Sequence, residues 1–132
     1  MVECPFAGDI PRNTLYAARL CLYALEKGFA PFASHLLYTQ FLDDSDPLQR
    51  ELGINAGLAF RKATGRALFG VDYGWSPGME RARALYDAEG VPYETVRIGE
   101  NWFQQGDDLA EVNLETHLLD TKMRRLARQR GL

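Results

Sequence analysis

Apolar positions along the 132-residue chain alternate between two periods. Val2 to Pro5 is a short apolar opening, read as a first strand. Phe6-Ala7-Gly8-Asp9-Ile10-Pro11 follows as a loop, with Gly8-Asp9 as a turn signal and Pro11 suited to a first helical turn. From Arg12 to Lys27, Leu15, Ala18, Leu22 and Leu25 recur at helical spacing, and Gly28 is placed to end that helix. Phe29 to Ser34 is a short apolar run, read as a second, buried strand ending at His35. Asp46, Pro47 and Gln49 then form a capping signature for a helix reaching about Ala63, with Leu52, Ala56, Ala59 and Ala63 as its buried stripe. Arg66 to Asp72 is the third strand. Tyr73–Ser76 is a turn, and Pro77 to Glu89 a helix with Met79, Ala82 and Tyr86 on one face and Gly90 as its stop. Pro92 to Ile98 is the fourth strand.

Strands separated by helices of about 12–17 residues predict right-handed βαβ crossovers and a parallel sheet. The expected fold is a small doubly wound, Rossmann-like α/β domain over residues 1–98, with helices flanking the sheet. Ligands in such sheets sit beyond the carboxyl ends of the strands, where strand order reverses. The loops Phe6–Pro11, His35–Asp46 and Tyr73–Ser76 are therefore expected on one edge. Residues 99–106 read as a linker. Leu109, Val112, Thr116, Leu119, Met123 and Leu126 then form a coiled-coil-like seam on a C-terminal helix over residues 107–130, which suits a homo-oligomer or packing on the domain.

Charge changes this picture little. The net charge is −3, but Lys122, Arg124, Arg125, Arg128 and Arg130 put +5 on the last eleven residues, leaving −8 on residues 1–121. A negative body argues against duplex nucleic acid as partner. The basic tail matches the negative end of the terminal helix, whose start carries Asp107, Asp108, Glu111 and Glu115. No apolar run approaches the ~20 residues of a membrane span, and the N-terminus has no secretory pattern, so a cytoplasmic protein without membrane association is expected. Cys4 and Cys21 lack metal-motif spacing and read as reduced thiols. Asp43, Asp44 and Asp46 match no standard metal loop and read as a capping turn. No metal and no organic cofactor is expected.

The candidate chemistry gathers at the three loops. Asp72-Tyr73-Gly74-Trp75-Ser76-Pro77-Gly78-Met79 passes from strand to helix through a tight turn, which presents backbone N–H groups and a positive helix end to an anion. Ser76 serves as N-cap, and its hydroxyl or the Gly78 and Met79 backbone could meet a phosphate. Trp75 is placed to stack on a base or to cover the core. Gly8, Asp9, Arg12 and Asn13 stand between the first strand and first helix, positioned for a ribose or phosphate or for capping. His35 and Tyr38 follow the second strand as ligand contacts or structural groups.

These stretches, with Ala30-Pro31-Phe32-Ala33-Ser34-His35 and Glu51-Leu52-Gly53-Ile54, resemble the nucleoside 2-deoxyribosyltransferase-like superfamily, and within it small phage and prophage proteins, over residues 1–98. The resemblance implies a Rossmann-like domain that holds a nucleoside or nucleotide and cleaves or exchanges its N-glycosidic bond. A glutamate six residues after the loop serine would act on the anomeric carbon, as carboxylates do in glycoside hydrolysis. It also implies sugar or phosphate contacts from Gly8, Asp9, Ser76, Gly78 and Met79. Here the glutamate's place is taken by Ala82, and Glu80 lies about 200° away around a helix of 3.6 residues per turn. Glu51, Asp72 or Asp9 could supply the carboxylate instead, with Asp72 and Glu51 as the catalytic candidates, and His35 or Tyr38 would protonate a departing base. Two expectations result: an N-glycosidic-bond hydrolase or transferase, or a nucleotide-binding protein that sequesters its ligand without turnover. An assembly role for the terminal helix is a third.

Overall fold

The structure, a computed structural model, describes residues 1–99. The expected linker beyond Gly99, the helix over 107–130 and the subunit pairing suggested by its seam lie outside the described residues.

Three parallel strands, β1 (Val2–Glu3), β2 (Ala67–Gly70) and β3 (Tyr93–Val96), form a sheet in the order β1-β2-β3. Val2 pairs with Leu68, and Leu68 in turn with Glu94. Helices α1 (Ile10–Glu26), α2 (Ser34–Leu37), α3 (Pro47–Ala59) and α4 (Pro77–Glu89) complete the chain, with a 3₁₀ turn at Tyr38–Gln40. The protein is thus a small doubly wound α/β fold. One face of the sheet packs Val2, Cys4, Tyr16, Ala17 and Leu20 beneath α1. The other packs Met1, Phe69, Val71, Leu58, Met79, Ala82 and Tyr86 beneath α3 and α4. The period-2 alternation of the strands produces this split.

The expected strand over Phe29–Ser34 is not formed. Val2 N–H donates to Phe32 O at 2.8 Å, so the segment runs beside β1, and Ser34 already begins α2. Pro31 lacks an N–H and cannot contribute to a ladder there. Met1 O accepts from Leu68 N–H in β2, so the Val2 N–H of the same peptide points to the opposite edge. The extended segment therefore flanks β1 on the side away from β2. Chain order reverses between β1 and β2, and their carboxyl ends bound the crevice where such sheets hold ligands.

Helix positions follow their caps. Asp9 accepts from Arg12 N–H, Asp46 from Leu48 and Gln49 N–H, and Ser76 from Met79 N–H; Pro stands at the start of each helix. The expected stripes hold on α4, where Met79, Ala82 and Tyr86 are all buried, and partly on α1, where Leu25 is exposed. They fail on α3, which also ends at Ala59 rather than Ala63. Leu48 and Leu52 are 83% and 61% exposed, while Gly57 and Leu58 face inward. A Cβ on Gly57 would stand 2.6 Å from Ser34 Cβ, so α2 presses directly on the α3 backbone. That close approach sets the rotation of α3, overriding its leucines. Gly70 plays the same part under α1, where a Cβ would meet Leu20 Cδ1 at 2.2 Å.

A half-buried carboxyl group borders the core. Glu3, opposite Phe69 in β2, accepts a hydrogen bond from Tyr86 Oη at 2.8 Å. Burial raises its pKa from 4.5 to about 6, against the opposing pull of that hydrogen bond. Below 4.5 the group is protonated whether folded or unfolded and has no effect. Between 4.5 and about 6 the folded state binds more protons, so stability falls as pH rises. Above about 6 the full penalty remains, about 2 kcal/mol. Glu3→Gln is therefore expected to be more stable than wild type at pH 7 and nearly equal at pH 4.5, by urea midpoints at the two pH values. Equal differences at both would contradict it. Gly70→Ala should destabilise by about 1–3 kcal/mol in the same assay through the Leu20 collision.

Candidate functional site

The loops after β1 and β2 meet at the reversal point. Arg12, in the first turn of α1, lays its guanidinium over the Tyr73 ring at 4.0 Å. Tyr73 also meets Tyr16 edge to face, with centroids 5.1 Å apart. The second loop joins the first through His35, whose ring lies 5.6 Å from that of Phe6 and whose Nε2 is 3.2 Å from Cys4 Sγ. The loops expected on one edge are thus brought together.

Asp72 is the fixed point of this edge. Its Oδ2 accepts from Tyr16 Oη at 2.5 Å and from Ile98 N–H at 3.1 Å. Its Oδ1 accepts from Gly99 N–H at 2.9 Å, and its own N–H donates to Tyr16 Oη at 3.1 Å. With its carboxylate held this way, Asp72 serves the architecture, and burial together with the Asp72 contact raises the Tyr16 pKa. Glu51 stands on the exposed side of α3. Arg81 Nη2 holds its Oε1 at 3.1 Å, and this hydrogen bond and positive charge lower its pKa. Neither carboxylate is left open in the crevice.

The other expected residues divide in the same way. Asn13 is wholly buried; its Nδ2 donates to Phe6 O and Ala7 O, at 2.9 and 3.0 Å, and its Oδ1 accepts from Arg12. It closes the first loop. Gly8, at φ +93°, gives that loop its turn, and Asp9 caps α1 from an exposed position. Gly74, at φ +76°, turns the third loop, its N–H donating to Val71 O at 3.0 Å. Trp75 packs on Phe69 with centroids 5.0 Å apart and lies under the Arg83 guanidinium, so it covers the core. The Met79 side chain is buried in the core.

At the start of α4, Ser76 Oγ takes the Met79 N–H at 3.3 Å and Ser76 O the Glu80 N–H at 3.0 Å. Of the amides expected to face an anion there, Gly78 N–H alone lacks a partner among the described residues. Ala82, where the superfamily resemblance places a glutamate, is 1% exposed in the core, and exposed Glu80 pairs with Arg83 at 2.5 Å.

His35 and Tyr38 line a hollow between α2 with its 3₁₀ turn and α3. Burial lowers the His35 pKa to about 4, so its imidazole is neutral at neutral pH. Burial raises the pKa of the Cys4 thiol beside it, which is therefore no nucleophile. Cys4 and Cys21 are both free thiols. Among the described residues, no three metal-ligating side chains converge and no helix is long and apolar enough to cross a membrane.

Sequence reasoning missed Arg97. Its Nη1 donates to Val71 O at 2.9 Å, placing a second guanidinium beside the Asp72 turn. Its position one residue after β3 was the available signal, since that places it at the carboxyl edge.

This is the layout of a small doubly wound α/β protein with Arg12 and Arg97 at its carboxyl edge beside Asp9 and Asp72. The chain belongs to the DUF7768 family, a domain of unknown function, whose model matches residues 1–96. No curated protein and no solved structure matches it.

If Asp72 is architectural, Asp72→Asn removes charge-assisted bonds from Tyr16 and two backbone amides. It should destabilise by about 2–4 kcal/mol in urea unfolding. Wild-type stability in that variant would mean the carboxylate is not needed for the fold.

Proposed function

We propose that the protein binds a phosphate-bearing ligand of the nucleotide class at the β1–β2 crevice and holds it without cleaving it. The observation that carries this reading is the pairing of Arg12. Its guanidinium stacks on Tyr73 and donates to Asn13 Oδ1 at 2.9 Å, and no carboxylate pairs with it among the described residues. The same is true of Arg97. Two guanidinium groups with no ion-paired carboxylate at a strand-end turn can meet an anion, and their planar forks suit phosphate oxygens. The free Gly78 N–H adds a donor at the positive end of α4. The stretches resembling the nucleoside 2-deoxyribosyltransferase-like superfamily support a nucleotide as the anion's carrier.

Binding has more support than turnover. Asp72 is engaged by three donors, Glu51 by Arg81, and Ala82 belongs to the core. The candidate carboxylates Asp72 and Glu51 are thereby held by other partners, and Asp9 caps α1. A capture role follows, in which a nucleotide is sequestered.

Thermal unfolding with nucleoside monophosphates should show stabilisation of about 2.7 kcal/mol at a hundredfold excess over Kd. Arg12→Ala should weaken binding at least tenfold, and no free base should appear on long incubation. A flat response to every monophosphate would refute binding, and released base would refute capture without cleavage.

A further inference from the structure

The three most exposed large apolar side chains among the described residues fall within one short stretch. Leu48, Phe41 and Leu52 are 83%, 65% and 61% exposed. On α3, Leu48 and Leu52 are followed by Ala56 and Ala59 at spacings of four, four and three, which puts all four on one side of the helix. Phe41 stands edge-on to Tyr38, and Tyr38 Cβ lies 3.6 Å from where a Gly53 Cβ would stand, so the apolar surface continues toward α2. Isolated surface leucines are ordinary, but a stripe of them along one helix is the form of a contact surface.

The charges around the stripe are distributed unevenly. On its α4 side, Glu51 Oε1 and Asn55 Oδ1 both accept from Arg81 Nη2, at 3.1 and 3.0 Å, so these polar groups are engaged toward α4. At its ends, Asp43 precedes α3 and Lys62 follows it. Both are exposed, and neither forms an ion pair among the described residues. They stand nine and ten residues from Leu52. An apolar stripe with an unpaired acid before it and an unpaired base after it is complementary to its own antiparallel copy. Turning α3 about a two-fold axis at Leu52 sets Leu48 opposite Ala56 of the partner subunit, a large side chain against a small one. The same turn brings Asp43 to Lys62 of the partner subunit, and symmetry repeats the contact.

We propose that this side of α3 is a self-association surface, on which two copies of the chain pair antiparallel about Leu52. An unrelated helix would cover the leucines equally well; the placement of Asp43 and Lys62 selects a second copy. One helix pair is a small interface, so association is weak and concentration-dependent. The end charges set the register more than the affinity. The inference does not depend on nucleotide binding.

The test is sedimentation equilibrium of the full chain from micromolar to submillimolar concentration. The mass should rise from that of one chain toward that of two. Leu52→Glu, at a side chain outside the core, should weaken association about tenfold or more and leave the thermal midpoint of the dilute protein unchanged. Asp43→Lys and Lys62→Glu should each weaken it severalfold, and mixing the two variants should restore it, because each mixed contact again joins opposite charges. Asp43 also accepts from Ser45 N–H at 2.9 Å, so a second route leaves that turn intact. Combined with Cys21→Ser, Leu52→Cys should form a disulfide-linked dimer under mild oxidation much faster than Leu48→Cys, since Leu52 alone lies on the axis. A single-chain mass at every concentration overturns the inference. So does a dimer that Leu52→Glu leaves intact, which would put association elsewhere in the chain, residues 107–130 included. Equal linking at the two cysteine positions overturns the antiparallel pairing, as does a mixture that stays at single-chain mass.

Discussion

The carboxylate of Asp72 is the constraint on which the functional edge depends. It ties Tyr16 of α1 to the turn after β2 and to the backbone leaving β3. Three segments distant in sequence meet at two oxygen atoms. Once Tyr16 is held there, Tyr73 has a ring to pack against and Arg12 has a ring to lie over. The place of Arg12 at the crevice follows from this partly buried hydrogen-bond network. Such networks act as a unit, because removing one partner leaves the others desolvated and unmatched.

The two faces of the sheet divide the work. Beneath α1, small and aromatic residues allow close approach, and Gly70 leaves room for Leu20. Beneath α3 and α4, an aromatic cluster of Phe69, Trp75, Tyr86 and Tyr93 packs the core, with Tyr86 Oη donating to the half-buried Glu3. The glycines of α3 then let α2 and its 3₁₀ turn lie against that helix, and the hollow forms at this contact. His35 stands between the first loop, through Phe6, and the hollow beside α3.

The site was legible in part. The strand-turn-helix order at Asp72 to Met79 and the cap at Ser76 are local features, and both occur as expected. The roles of the individual side chains were less visible. Asn13 and Asp72 look like ligand contacts when written in a row, because polar residues in strand-end loops serve ligands and loop closure alike. Only their partners separate the two uses. Arg97 drew no attention because an arginine after a strand is unremarkable until Val71 O lies within reach. Trp75 could stack on a base or on the core, and Phe69 decides for the core.

Periodicity and capping by themselves determined the class of fold, the parallel strands β1, β2 and β3, and the limits of α4. The positions of these elements rest on propensities and caps within a few residues, which the local sequence contains. Tertiary structure alone decided that Phe29–Ser34 contributes one hydrogen bond instead of a strand, that α3 turns Leu48 and Leu52 outward, and that Asp72 ties three segments together. Each depends on what lies opposite in space: an edge lacking a proline N–H, a serine against a glycine, a tyrosine hydroxyl from 56 residues away. Contacts of that range are set by packing geometry, which a linear pattern does not encode.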